Sequence, residues 1–383
     1  MEYMQRVIAE IGSAFVQFAG MLMHQATTSL LLENIPLPVL QGACSNLTLL
    51  RELVIWDTEC QPEAVSLAKH HAETLEKLVI GYMRPQQMLD LVWTGGVETG
   101  QTYLYPRLKH FHLRCCEDQL EYAHPKSLTN PFPVLKVFIN EDTLPYAASV
   151  ILDGNRSRLC HLRLDLCWSE YQWLIDKGIL AKSAFTNLRF VSLLCQTYNE
   201  YEWGYDLACV ALGLCRTIRS VHLDHVYGDD ISDTLSLLNS LNDLRILDMG
   251  SANITLDQAV SILCACPSVQ NAKIALKPIR RYGKGDKISA ETIVRYKEKY
   301  SGHTSPVCYL SVISASSSKA VYPGYIALLV YLLGNVVRVT TSQFYGELTQ
   351  EQFADKVGKA LQIPVYDDRP QVRNIEYVLG YLR

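Results

Sequence analysis

The side chains best suited to chemistry in this chain are histidines set beside acids. His222, Asp224 and His225 form the tightest group. On an extended strand His222 and Asp224 share one face, about 6–7 Å apart, while His225 turns away at the strand end. Zinc needs ligands converging at about 2 Å, usually four in a structural site. Three residues strung along one strand do not converge in that way. A hydrogen-bonding patch is the expected role, and no metal is expected. His110 and His112 alternate similarly beside Arg114. Cys115-Cys116 would react only as thiolates, and the sequence places no base beside them. Asp229-Asp230 falls at an expected helix start, where acids favour the helix dipole without catalysing anything. Gly283-Lys284-Gly285 lacks the length and the Ser/Thr of a phosphate loop. No G-x-S-x-G, H-E-x-x-H or Walker A motif occurs. The expectation is a protein without catalytic residues or cofactor.

A repeated unit must position these side chains. Its frame is an apolar residue three places ahead of a six-residue strand, apolar-x-x-apolar-x-apolar. Leu47–Ile55, Tyr105–Leu113, Phe185–Leu193, Cys215–Leu223, Leu241–Met249 and Cys266–Ile274 all fit it, and Phe132 opens a looser copy ending on Asn140. Numbered from the first apolar place, the copies start at Thr27, Leu50, Leu75, Leu108, Leu135, Leu159, Leu188, Ile218, Leu244 and Val269. Their spacings are 23, 25, 33, 27, 24, 29, 30, 26 and 25 residues. A period in this range marks a stacked solenoid, in which one coil cannot bury its apolar face alone.

Most gaps hold an apolar stretch of helix length, so strand and helix alternate. Expected helices are Pro62–His71, Pro85–Trp93, Tyr146–Leu152, Tyr171–Lys177, Trp203–Leu214, Asp230–Leu238 and Leu256–Cys264. Pro62 and Pro85 suit first-turn positions, and Gly95-Gly96 and Gly154 suit helix ends. Thr255-x-x-Gln258 and Ser169-x-x-Gln172 have capping-box spacing. Beyond the array, Val307–Val312 and Val336–Val339 read as strands and Tyr322–Leu333 as a helix. Leu348–Leu361 and Val372–Leu382 are also expected to be helical.

These residue types are those of a leucine-rich repeat. With Cys266-Pro267-x-Val269 and Cys215-x-x-Ile218 opening two strands, the array resembles the cysteine-containing, ribonuclease-inhibitor-like class. Tyr105-Pro106 and Phe132-Pro133 resemble the strand openings of fungal F-box/leucine-rich-repeat families. The likeness covers residues 25–280 well and the remainder loosely. It implies an α/β solenoid, an arc or horseshoe with a parallel concave sheet and convex helices. Its implied domains are an N-terminal helix (1–26), the array (27–279), a basic irregular insertion (280–305), and degenerate C-terminal repeats with a cap (306–383). The F-box of those families, a helical segment with a Leu-Pro start and a late Trp, has no counterpart in residues 1–26. The chain is expected to lack it or to be a fragment that has lost it.

Such a fold acts by presenting a surface. Places 3, 5 and 7 of each strand line the concave face. The expected partner-binding residues there are His110, His112, Arg114, His161, Arg163, Asp165, Phe190, His222, Asp224 and Asp248, for a protein or peptide partner. Residues 277–299 carry eight Lys/Arg against three Asp/Glu, and Arg280, Arg281, Lys284 and Lys287 could grip an acidic partner. Two other functions stand beside this one. One is the substrate-recognition part of an SCF-type ubiquitin ligase with its F-box missing or separate; the other is an enzyme with a loop-borne site.

Composition narrows the setting. With 383 residues, 49% hydrophobic and 19% charged, the chain suits a well-buried fold rather than a disordered one. Net charge −4 and a pI near 6.2 argue against a general nucleic-acid binder. Twelve cysteines without a CxxC pair, several at small apolar places of the frame, suit reduced thiols in the cytoplasm or nucleus. No apolar run reaches the roughly 20 residues that span a bilayer. The N-x-S/T sequons at Asn46, Asn155 and Asn253 are then chance matches.

Overall fold

The structure is a computed structural model that describes residues 27–33, 47–56, 62–92, 104–115, 129–142, 144, 146–180, 185–195, 217–223, 231–277, 290–300, 305–314, 323–336, 338–341 and 374–375. It divides into two units, residues 1–188 and 189–383. In the first, β1 (Ser29–Glu33), β2 (Glu52–Trp56), β3 (Lys77–Met83), β4 (His110–Cys115), β5 (Val137–Asp142) and β6 (His161–Leu166) lie side by side in chain order. Neighbouring strands pair in parallel. In the second, β7 (Phe190–Cys195), β8 (Ser220–Leu223), β9 (Ile246–Ile254), β10 (Asn271–Leu276), β11 (Tyr309–Ser314), β12 (Arg338–Thr341) and the two-residue β13 (Asn374–Ile375) do the same.

The frame predicts which residues are dry. Place 4 puts Leu30, Leu53, Leu78, Phe111, Phe138 and Leu162 in one row of the first unit. Val191, Val221, Leu247, Ala272, Leu310 and Val339 form the equivalent row of the second. All are buried, as are the place-1 residues from Leu50 to Val336. Burying such rows is the main favourable term in a stacked fold, because no single coil can shield its own apolar side. Ahead of the strands, Tyr105 and Phe132 meet edge to face at 5.2 Å, and Phe132 lies 4.8 Å from Phe111. The Tyr105 hydroxyl donates to the Leu91 carbonyl at 3.1 Å, so the polar end of a fully buried ring is satisfied.

One polar contact recurs along the coils of each unit. The amides at places 2 and 3 both donate to the place-2 carbonyl of the coil before. Arg51 and Glu52 share Thr28, Lys109 and His110 share Glu76, Arg219 and Ser220 share Arg189, and Arg245 and Ile246 share Arg219. This shared acceptor fixes the register of consecutive strands.

Helices close the other side. They are α1 (Pro62–His70), α2 (Pro85–Val92), α3 (Tyr146–Asn155), α4 (Trp168–Asp176), α5 (Ser232–Ser240), α6 (Leu256–Ala265), α7 (Ala290–Lys299) and α8 (Pro323–Leu333). Pro62 and Pro85 occupy first positions, where a missing N–H costs nothing. Thr255 caps α6, accepting from the Gln258 amide at 3.2 Å while Gln258 accepts from the Thr255 amide at 2.8 Å.

Several expectations are corrected. The cap of α4 is not Ser169-x-x-Gln172: Cys167 stands at the N-cap, and its amide donates to Glu170 at 3.0 Å. Glu170 is chosen because its other oxygen accepts from the Leu144 amide at 2.6 Å, a link to the preceding coil. Gly154 lies inside α3 rather than after it, where a Cβ would come within 2.7 Å of Asn130. The 280–305 stretch contains α7, and Asp257 on α6 ties that helix down through Tyr296 (2.9 Å) and Lys299 (2.6 Å). Asn374–Ile375 pairs with β12 as a strand, not a helix. Asn155 of the second sequon is fully buried and donates to the Ile151 carbonyl, so no glycan could be attached to it in the fold. The expected helices Trp203–Leu214 and Leu348–Leu361 lie outside the described residues.

Candidate functional site: the open sheet face

Strand alternation sends places 4 and 6 into the core and places 3, 5 and 7 to the open face. The expected binding residues therefore fall into two sets, one in each unit.

In the first unit His110, Val137 and His161 stand in one register row, and His112, Ile139 and Arg163 in the next. Glu141 is paired with Arg114 in the row beyond. Arg163 reaches Glu141 at 3.1 Å, and His112 Nε2 lies 3.5 Å from the same carboxylate oxygen. That second separation is too long and poorly aligned for a full hydrogen bond. His112 Nε2 and Arg163 Nε are buried without a hydrogen-bond partner, although both residues belong to the open face. Arg114 bonds to Asp142, donates to the Tyr82 hydroxyl at 2.9 Å, and lies 4.5 Å over the Tyr82 ring. Trp56 reaches across β3 to bring its ring 5.4 Å from that of His112. Along β3 itself the open-face residues Val79 and Gly81 are buried.

The electrostatics follow from burial and neighbours. Burial, then Lys77, His112 and His161, push His110 down to about 4. Burial and then Arg163 push His161 down as well. Contact with His112 draws the Glu141 carboxyl below the usual carboxylate range, against the opposing effect of burial, with Arg163 adding to the pull. The His110 ring thus stays neutral near pH 7. Because its folded value lies below the ordinary 6.5, its stabilisation is present above about pH 6.5 and is lost as pH falls toward 4. Thermal melts over that interval should show a loss of roughly 1–2 kcal/mol, after discounting for the ring's partial exposure. His110→Gln should flatten the slope. A slope unchanged by the substitution would assign it to other groups.

In the second unit His222 pairs in register with Ser192 and Asp248 on either side. The Ser192 hydroxyl lies 3.2 Å from His222 Nδ1. Asp248 accepts from the Gly250 amide at 2.9 Å and meets Lys273 at 3.3 Å. Phe190 sits on the same face, one place-3 row away. Asp165 is half-buried at place 7 of β6. Asp224, His225 and the basic residues Arg280, Arg281, Lys284 and Lys287 lie outside the described residues.

Among the described residues no group of three or more His, Cys, Asp or Glu could hold a metal. Cys160, Cys167, Cys264, Cys266 and Cys308 form no disulfide, and burial raises Cys266 to about 12, which keeps it a protonated, unreactive thiol. No described helix is long and apolar enough to cross a membrane.

Four participants are not among the expected binding residues. Trp56 and Glu141 stand at place 7, which the frame assigns to the open face. Tyr82 and Asp142 escape that assignment, because both adopt left-handed backbone, with φ of 52° and 73°. The left-handed residue falls at the register shift of β3 in one case and at the last position of β5 in the other, and both side chains meet Arg114. No protein-family model matches this chain, and a search of curated proteins also finds no match.

Proposed function

We propose that the open face of the first unit binds a protein or peptide partner and carries out no reaction. The observation that carries this reading is the patch of Trp56, His112, Glu141 and Arg163. There an aromatic ring and a charge cluster share a half-covered surface, and two buried nitrogens make no hydrogen bond among the described residues. Aromatic and arginine side chains in a partly dry setting are what protein interfaces use as anchors. Buried polar atoms without a partner gain most when a bound protein supplies the missing hydrogen bond. The frame, with Cys266 buried at its leading place, supports assignment to the ribonuclease-inhibitor-like leucine-rich repeats. Free thiols are in keeping with a cytoplasmic or nuclear setting.

The test is chemical cross-linking in cells followed by mass spectrometry. Wild type is compared with a Trp56→Ala/His112→Ala/Arg163→Ala variant whose melting behaviour is checked first. The expected result is a partner held by the wild type and lost from the variant. Recovery of ubiquitin-ligase scaffold subunits along with that partner would favour the substrate-receptor form of the same function. If the two proteins capture the same set, the patch is not the interface.

A further inference from the structure

The second unit carries a feature of a different kind. Arg189, Arg219 and Arg245 all occupy place 2, directly before the strands β7, β8 and β9. Their backbones are locked together, since Arg219 N donates to Arg189 O and Arg245 N to Arg219 O, each at 2.8 Å. The three side chains are exposed. None makes a hydrogen bond or ion pair through its side chain with another described residue, and Asp243, two places ahead of Arg245, does not pair with the row. Adjacent strands are about 4.8 Å apart. Three like-charged side chains therefore leave neighbouring strands at that pitch with no acid among the described residues paired to them, a row that favours an anion. The matching row in the first unit is different: Glu76 stands between Arg51 and Lys109 and pairs with both, at 3.7 and 2.6 Å.

Beside the arginines, the place-3 row reads Phe190, Ser220, Ile246, Asn271 and Tyr309. Ile246 is 43% exposed and Tyr309 51%. A charged stripe thus runs parallel to a partly apolar one.

We infer that this double stripe docks an acidic amphipathic α-helix of a partner protein, laid across the strands. Its acids would sit at successive turns against Arg189, Arg219 and Arg245, and its apolar flank on Phe190 and Ile246. The pitch selects the helix. One helical turn advances about 5.4 Å, close enough to the strand spacing for flexible arginines to absorb the difference. An extended peptide brings same-side residues about 6.7 Å apart and falls out of step by the third arginine. A nucleic acid is the weaker candidate, because the chain is net acidic, at −4, and the stripe offers apolar side chains where a phosphate backbone wants more cations. The inference shares with the first-unit proposal only the premise that the sheet receives protein, and it rests on other side chains.

The probe is a fluorescent synthetic helix with Glu at every turn flanking a Leu face, followed by anisotropy at low and high salt. Wild type should bind it, more weakly as salt rises. Arg219→Glu should weaken binding about tenfold or more, and reversal of all three arginines should abolish it. Arg219→Gln should also weaken binding while leaving the melting temperature unchanged or raised, since it relieves repulsion. The Trp56→Ala/His112→Ala/Arg163→Ala variant should bind the probe like wild type, so failure of one site is not read as failure of the other. Three results would overturn the inference. These are equal binding by the triple reversal, a lowered melting temperature for Arg219→Gln, or tighter arginine-dependent binding of a single-stranded oligonucleotide or an anionic phosphatidylserine vesicle.

Discussion

Replacing Phe111 with Ala should cost about 3–5 kcal/mol, a large share of the stability of most domains. Phe111 is fully buried in the place-4 row of the first unit. Its ring packs on the coil that follows, 4.8 Å from Phe132 and 6.2 Å from Phe138, and it pairs in register with buried Leu78 of the coil before. Truncation removes those contacts and leaves a cavity that strands locked on either side by the shared-carbonyl bonds cannot close. Urea unfolding measures the loss, and hydrogen exchange should place the earliest new exposure in β3, β4 and β5. Phe111→Leu should cost clearly less, because most of the volume is retained. Leu104→Ala is the control: Leu104 is 53% exposed and should change stability by no more than about 0.5 kcal/mol. Equal costs for Phe111→Ala and Leu104→Ala would mean that the row is not the core.

Glu170→Ala should be the other severe substitution, at about 2–4 kcal/mol. The side chain is buried, and its two oxygens accept from the amides of Leu144 and Cys167. Removing it strands both donors, each at about 1–3 kcal/mol, and detaches the start of α4 from the preceding coil. Glu170→Gln keeps the shape but loses the charge-assisted strength of those bonds, so it should fall between Ala and wild type. Ser169→Ala separates the two capping alternatives. Ser169 is exposed, and its loss should be nearly neutral in a thermal melt. A Ser169→Ala cost matching that of Glu170→Ala would restore the cap read from the sequence.

That capping error shows where sequence reasoning loses its grip. Ser169-x-x-Gln172 and Cys167-x-x-Glu170 overlap, and local propensity prefers the serine. The deciding contact is with Leu144, 26 residues away, and no local pattern contains it. The strand frame was legible because its three apolar places repeat, and from Leu50 onward they coincide with buried rows that pair in register. Asn140 occupies an apolar place yet is buried, so the looser copy at Phe132 keeps the frame's geometry with a polar side chain inside.

The candidate site was partly legible. Parity along each strand put His110, His112, His161 and Arg163 on the open face, and the structure sets them in neighbouring rows. Parity could not show that Trp56 leans over β3 or that left-handed Tyr82 and Asp142 clasp Arg114. Those depend on a side chain that reaches past the neighbouring strand and on two left-handed residues, neither of which alternation encodes. The arginine row was in view all along, one residue after Leu188, Ile218 and Leu244. It went unread because place 2 belongs neither to the apolar frame nor to the alternating face.

The shared carbonyl at place 2 also sets how the protein would yield under tension. Each coil grips the next through two amides converging on one oxygen, so a pull along the chain loads these clasps one after another rather than all together. Within either unit the fabric should ravel stitch by stitch, every release freeing one repeat's worth of thread, and the spacing between slips would count out the repeats.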